Sequence, residues 1–235
     1  MVKIQDIFID FDDTLYDTHG NAEIALRELF DEFHWERYFE RVEDFTVPYW
    51  QTNIELWGQY ARGEIERDFL IIERFRRPLS EGHNLSPTPE YCLQVSDRFL
   101  DLCKVKPHVI KGAHSLMDHL RKRGYRLHMC SNGFREVQGA KLRASGLYDC
   151  FDTIILSEDA GVNKPHPDFF RYAFRLTGAR PETTLMIGDN LETDIRGARE
   201  AGMQTIYFCP DPHEAPPAEI ADYTVRTLTE IQQIL

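Results

Sequence analysis

The 235-residue chain carries 27 Lys and Arg against 39 Asp and Glu, a formal net charge of -12, with 42% hydrophobic and 28% charged residues. That composition is ordinary for a globular protein and leaves ample length for a core. The acidity excludes a nucleic-acid polymer as partner, since a phosphate backbone demands a basic face.

The five cysteines (Cys92, Cys103, Cys130, Cys150 and Cys209) are odd in number and never spaced C-x-x-C. They are expected to be reduced thiols in a cytoplasmic protein rather than a disulfide or zinc framework. Lys3, Asp6 and Asp10 interrupt the apolar N-terminal stretch, so neither a signal peptide nor a membrane span is expected there.

Ile4 to Ile9 is a β-rich run that ends on a cluster of acids, as a buried strand entering a loop does. From about Asp17 to Val105 the chain turns helical and aromatic and holds all three tryptophans, Trp35, Trp50 and Trp57. Ala22, Leu26, Leu29, Phe30 and Phe33 form one apolar stripe. Leu56, Tyr60, Ile65, Phe69, Ile72 and Phe75 predict two further helices broken near Gly63, and Pro78 to Pro89 has the composition of a loop. Glu90 to Cys103 returns as a helix. The aromatics Trp50, Trp57 and Tyr60 fit either a helical core or a stacking platform for a base.

After Lys106 the texture changes again. Leu127–Cys130, Thr153–Leu156, Thr184–Ile187 and Thr205–Phe208 each predict a buried strand, with a closing strand at Tyr223–Val225. Between them lie helical patterns beginning after Gly112 and at Glu136–Ala144, Asp168–Leu176 and Asp194–Ala201, while Pro210–Pro217 predicts an exposed connection. Alternating strand and helix specifies an α/β fold, a Rossmann-like doubly wound parallel sheet. The predicted division is an α/β core from 1–16 and 106–235 with an inserted α-helical bundle at 17–105. Hinges are expected near Tyr16–Gly20 and Val105–Gly112.

Open α/β sheets place ligands at the C-terminal ends of their strands, and four such loops here carry chemistry. Asp10-Phe11-Asp12-Asp13-Thr14 follows the first strand. Carboxylates at i and i+2 on a tight loop let one attack phosphorus while the other protonates the leaving oxygen and then activates water; an acidic turn is the plainer use. Ser131-Asn132-Gly133 offers a hydroxyl and backbone N–H groups to phosphate oxygens, with Gly133 permitting close approach, or forms an ordinary strand-to-helix turn. Lys164, in Lys164-Pro165-His166-Pro167-Asp168, is a cation braced by prolines, and His166 is expected to be exposed rather than a metal ligand. Gly188-Asp189 supplies a strand-end acid of the kind Mg²⁺ takes, and Asp194 could steady the lysine or a metal-bound water. Taken singly, each loop has a structural explanation; four at successive strand ends point to phosphoryl chemistry.

These motifs, in this order, resemble the haloacid dehalogenase superfamily over the whole core: Asp10-Phe11-Asp12-Asp13-Thr14 the first, Ser131 the second, Lys164 the third, and Gly188-Asp189 with Asp194 the fourth. The helical insertion resembles the subgroup with an α-helical cap. The run Trp57, Tyr60, Gly63, Ile65, Arg74-Phe75, with Ser131-Asn132-Gly133-Phe134, is similar to the pyrimidine 5′-nucleotidases. The resemblance implies that Asp10 is the nucleophile and a Mg²⁺ ligand, and that Asp12 is the general acid/base and lends its backbone carbonyl to the metal. It also implies that Asp189 completes the metal ligands, that Ser131 and Lys164 hold the phosphoryl oxygens, with Asn132 beside them, and that Thr14 orients the loop. Asp13 departs from the glycine frequent at its position. The implied activity is Mg²⁺-dependent hydrolysis of a small phosphate ester, a nucleoside monophosphate first. A sugar-phosphate phosphatase or phosphomutase is the near alternative, and a 2-haloacid dehalogenase or a non-catalytic binding module the distant ones. Asp12 and Asp189 favour phosphate over halide chemistry.

Overall fold

The computed structural model describes residues 3–213 and 219–235. Its contacts divide the chain into two compact units, Met1–Thr18 with Pro107–Leu235, and His19–Lys106.

The first unit is built on a six-stranded sheet. Strands β1 (Asp6–Ile9), β2 (Arg126–Ser131), β3 (Thr153–Leu156), β4 (Thr184–Gly188), β5 (Gln204–Phe208) and β6 (Tyr223–Val225) lie in the order β3-β2-β1-β4-β5-β6, and every pairing is parallel. The outcome is the doubly wound α/β sheet expected from the strand–helix alternation. Successive side chains of a strand point to opposite faces. Accordingly Ile7 and Ile9 enter one core layer with Leu127, Met129, Leu116, Leu120, Ile187 and Leu228, while Phe8 enters the other with Cys130, Phe169, Phe170, Met186 and Ala198. Burial on both faces explains why these strands read as unbroken apolar runs. Tyr16 pairs with Val109, which joins the two segments of this unit. Of the predicted connection at Pro210–Pro217, residues 214–217 lie outside the described residues.

The helices of the second unit are α1 (Thr18–Glu32, its first residue in the sheet unit), α2 (Glu43–Ala61), α3 (Arg67–Leu79) and α4 (Pro89–Cys103). Their shared core contains Ala22, Leu26, Leu29, Trp35, Phe45, Tyr49, Phe75 and Phe99. Thr88 caps α4 by accepting a hydrogen bond from the Tyr91 N–H, and Pro89 opens its first turn. Two details depart from the expected pattern. Helix α3 continues through Pro78 to Leu79 before the loop begins. Phe69, expected in the apolar stripe, is 44% exposed, and the inner positions are instead Leu70, Arg74 and Phe75. Ile72 and Phe75 of the same stripe do pack on the helical core, so Phe69 alone of these three is displaced. All five cysteines are free thiols. Among the described residues, no helix is long and apolar enough to cross a membrane.

The remaining helices flank the sheet: α5 (Ala113–Lys122), α6 (Arg135–Ala144), the single turn α7 (Ser157–Ala160), α8 (Pro167–Thr177), α9 (Gly197–Glu200) and α10 (Leu228–Ile234). The helix expected at Asp194–Ala201 begins earlier, as a π-helical turn over Leu191–Arg196 that runs into α9. Its cap is Asn190, whose side-chain oxygen accepts from the N–H groups of Glu192 and Thr193.

Candidate active site

Three strand ends carry the charged centre. Lys164 is buried, 1% exposed, and its ammonium donates three hydrogen bonds: to Asp10 Oδ1 at 2.7 Å, Asp194 Oδ1 at 2.6 Å and the Cys130 carbonyl at 2.8 Å. An ammonium has three hydrogens, so all are spent. A new anion at Lys164 must therefore replace one of these acceptors. Burial works against the charged form, yet Asp10 and then Asp194 hold the Lys164 ammonium well above the usual lysine range.

The backbone around the lysine is arranged for this. Asn132 donates from Nδ2 to the Lys164 carbonyl at 3.0 Å and accepts from the Lys164 N–H at 2.8 Å, locking the two loops together. The Asn132 side chain, expected among the phosphate-binding groups, is thus engaged in positioning Lys164. Gly188 makes room for Asp194: a Cβ there would lie 2.4 Å from Asp194 Oδ2. The π-helical turn returns that carboxylate toward its own start, where the Asn190 N–H donates to Oδ2 at 3.2 Å. His166 is exposed, as expected, and its Nδ1 caps α8 by accepting from the Asp168 N–H.

The acids are crowded. Asp10, Asp189 and Asp194 each offer a carboxylate oxygen within 4.8 Å of the others. Burial pushes Asp10 up to about 7, with Asp194 and Asp12 adding to the rise against the opposing charge of Lys164. Asp189 is raised well above the ordinary carboxyl value by burial and by the charges of Asp10, Asp194 and Asp13. Thr14 Oγ1 donates to Asp189 Oδ1 at 2.9 Å and ties the first loop to the fourth. One ammonium does not balance this group, and the uncompensated donors are hard carboxylate oxygens, the set Mg²⁺ prefers. The residues present therefore fit a divalent cation.

Asp12 occupies a different environment. Its Oδ1 accepts from Lys141 Nζ and from Thr18 Oγ1, both at 2.6 Å, and its Oδ2 accepts from Gln138 Nε2. Burial favours the protonated acid, but the Lys141 charge and the hydrogen bonds of Lys141, Thr18 and Gln138 outweigh it and hold the Asp12 carboxyl below its ordinary value. The adjacent Asp13 has φ +60, a left-handed conformation, which explains why glycine suits this position and why Asp, tolerant of that region, can replace it.

Ser131, buried at the end of β2, accepts from the Gly133 N–H at 2.9 Å and from Gln138 Nε2 at 2.7 Å. Gln138 and Lys141 were not among the residues expected at the site. Their signal is in the sequence of α6, where the inward stripe is Val137, Gln138, Lys141 and Leu142, two polar residues at core spacing.

The family described as haloacid dehalogenase-like hydrolase matches residues 5–202. The HAD-hydrolase YfnB of Bacillus subtilis is 32% identical over 237 residues, covering 100% of this chain and 97% of its own. A crystal structure of YfnB, described as bound to magnesium and revealing interdomain movement, superposes with a TM-score of 0.86 at 30% identity over 100% of this chain and 99% of that one. The pyrimidine 5′-nucleotidase YjjG of Escherichia coli is 30% identical over 231 residues, 97% of this chain and 96% of its own. The glyceraldehyde 3-phosphate phosphatase of Pyrococcus furiosus is 29% identical over 236 residues, 100% of this chain and 93% of its own.

Proposed function

Because the chain belongs to the haloacid dehalogenase-like hydrolase family, we propose that it is a Mg²⁺-dependent phosphatase that hydrolyses a small phosphate monoester through an aspartyl-phosphate on Asp10. The observation that carries this reading is the separation of two carboxyls two residues apart in the chain's first loop. Asp10 sits with the lysine and the metal-type acids, while Asp12 sits with Lys141, Gln138 and Thr18.

Each residue then has a task. Asp10 attacks phosphorus and the bond from phosphorus to the ester oxygen breaks, while Asp12, ionised in the free protein, takes up a proton from the bound phosphate monoanion and passes it to that oxygen. Water next attacks the phosphorus of the aspartyl-phosphate, Asp12 takes the proton, and inorganic phosphate leaves with Asp10 restored. Lys164 exchanges its bond to Asp10 for one to a phosphoryl oxygen, and the Ser131 hydroxyl donates to another. Asp194 and Asn132 hold Lys164 in place, and Thr14 holds Asp189. Bound at Asp10, Asp189 and the Asp12 carbonyl, Mg²⁺ would neutralise the charge that the nucleophile and phosphoryl group bring together. The magnesium named for YfnB supports this choice of ion.

The helical unit His19–Lys106 is read as the α-helical cap domain of this family, and interdomain movement is named for the structure of YfnB. A nucleoside 5′-monophosphate is the preferred substrate class, supported by the nucleotidase relative. The glyceraldehyde 3-phosphate phosphatase, alike at comparable identity, supports a sugar phosphate as the second reading.

Phosphate release from p-nitrophenyl phosphate, with Mg²⁺ or with EDTA, tests the mechanism. Activity only with the metal, and none in Asp10→Asn, is expected; full activity of Asp10→Asn overturns it. A kinetic panel of pyrimidine and purine monophosphates and sugar phosphates tests the substrate class, which falls if pyrimidine monophosphates rank low.

A further inference from the structure

Gln138 is 1% exposed and stands between two groups that the phosphatase reading uses. Its Nε2 donates one hydrogen to Ser131 Oγ at 2.7 Å and the other to Asp12 Oδ2. The Gly133 N–H already donates to the same Ser131 oxygen. A hydroxyl that accepts two hydrogen bonds retains only its own hydrogen to give. Ser131 is thereby fixed as a donor toward whatever occupies the pocket.

The orientation of this amide is forced. Turned over, its oxygen would face the Asp12 carboxylate, acceptor against acceptor. As placed, Oε1 is buried without a hydrogen-bond partner, so the two donated bonds are kept at the expense of an unsatisfied oxygen. The chain also clears space for it. A Cβ on Gly133 would lie 1.9 Å from Gln138 Nε2 and 2.6 Å from its Cδ. The glycine of Ser131-Asn132-Gly133 therefore makes way for Gln138, where the sequence pattern suggested room for a ligand.

We propose that Gln138 is a positioning residue that, through one amide nitrogen, both aims the Ser131 hydroxyl hydrogen at the phosphoryl group and holds the Asp12 carboxyl where it serves the leaving oxygen. The assignment rests on the phosphatase reading. Lys141 and Thr18 hold only the other oxygen of Asp12, so the two tasks of Gln138 separate by experiment.

The measurement is kcat/KM for p-nitrophenyl phosphate and for a simple alkyl phosphate, together with competitive inhibition by inorganic phosphate. Nitrophenolate departs without a proton, whereas an alkoxide needs one from Asp12. In Gln138→Met the alkyl ester is expected to lose roughly 100-fold more than the aryl ester, the scale of general-acid assistance. Inhibition by inorganic phosphate, which reads the Ser131 contact without chemistry, is expected to weaken roughly tenfold. Gly133→Ala, which displaces the amide and leaves Gln138 itself in place, is expected to reproduce both effects and carries the test if Gln138→Met does not fold. Lys141→Met is expected to shift the ester ratio and spare phosphate inhibition. Equal losses on both esters with unchanged phosphate inhibition would mean a merely structural glutamine and overturn the proposal. A wild type inert on both esters would instead overturn the phosphatase reading beneath it.

Discussion

Adding Mg²⁺ to metal-free protein should raise its melting temperature, and the rise should grow with pH. Asp10 sets the sign. Burial and the carboxylates of Asp194 and Asp12 push it up to about 7 from 3.8, against the pull of Lys164. A carboxyl whose folded pKa exceeds its unfolded value binds more protons folded than unfolded within that window. Its contribution to metal-free stability is therefore largest below 3.8 and is lost as pH rises toward 7. At 1.36 kcal/mol per pKa unit the loss is about 4 kcal/mol, and Asp189, raised in the same direction, adds to it.

A divalent cation at Asp10 and Asp189 replaces the proton and removes the penalty, so its binding competes with protonation. At a hundredfold excess over its dissociation constant it contributes about 2.7 kcal/mol. For a chain of this size each kcal/mol moves the melting temperature by about 2–4 °C, which gives a rise of about 5–11 °C at pH 8. At about pH 5.5, where the cation must displace a proton, the rise should shrink to a small fraction of that. Thermal melts followed by circular dichroism, with EDTA or excess MgCl₂ at both pH values, measure it. Asp189→Asn should abolish the difference. An equal Mg²⁺ shift at both pH values, or an unchanged one in Asp189→Asn, would refute the metal assignment.

Three further outcomes follow from local geometry. Lys164→Met leaves Asp10 and Asp194 buried without their cation, so urea unfolding at pH 8 should show a loss of about 3–5 kcal/mol. That loss should shrink at about pH 5, where Asp10 takes up a proton; a loss independent of pH would contradict the pairing. Gly188→Ala forces Asp194 out of its seat beside Lys164 and should destabilise by about 1–3 kcal/mol and lower kcat; an unchanged denaturation midpoint would count against it. In α3 the buried Arg74 donates to Ser96 Oγ at 2.9 Å and lies over the rings of Phe75 and Phe99, and its Nε has no hydrogen-bond partner among the described residues. Arg74→Met, which fills the same space without a charge, should therefore leave stability unchanged or raise it by about 1–4 kcal/mol. A clear drop in melting temperature would show that the ring contacts outweigh desolvation.

Arg74 also shows where the sequence is hard to read. A periodicity argument gives every buried helical position to an apolar residue, and so it placed Phe69 inside and had no place for the buried Arg74. The same blindness hid Gln138 and Lys141. Asp10, Ser131 and Asp189 were legible because each lies at or just beyond a strand end, where a polar residue interrupts an apolar run and announces itself, while Lys164, beyond α7, was marked by the prolines that follow it. Strand positions were legible for a related reason: a parallel strand buried on both faces, such as β4, has no polar phase to confuse it, and β3 has the bounds its apolar run implies.

On a helix the polar partner of a catalytic group falls within the amphipathic pattern and looks like noise in it. Val137-Gln138 and Lys141-Leu142 keep the helical spacing, with two apolar members replaced by the donors that Asp12 needs. The buried face of α6 is thus composed for chemistry as much as for packing. It also accounts for the contrast between the two acids of one loop. Asp10, buried among carboxylates, is pushed up to about 7 and keeps its proton below that pH. Asp12, facing three donors supplied from Thr18 and α6, is held ionised. A two-residue separation in sequence is enough to give them opposite protonation preferences because the groups that set those preferences come from different elements. The residues that distinguish the proposed nucleophile from the proposed acid/base therefore lie outside the motif that contains them both.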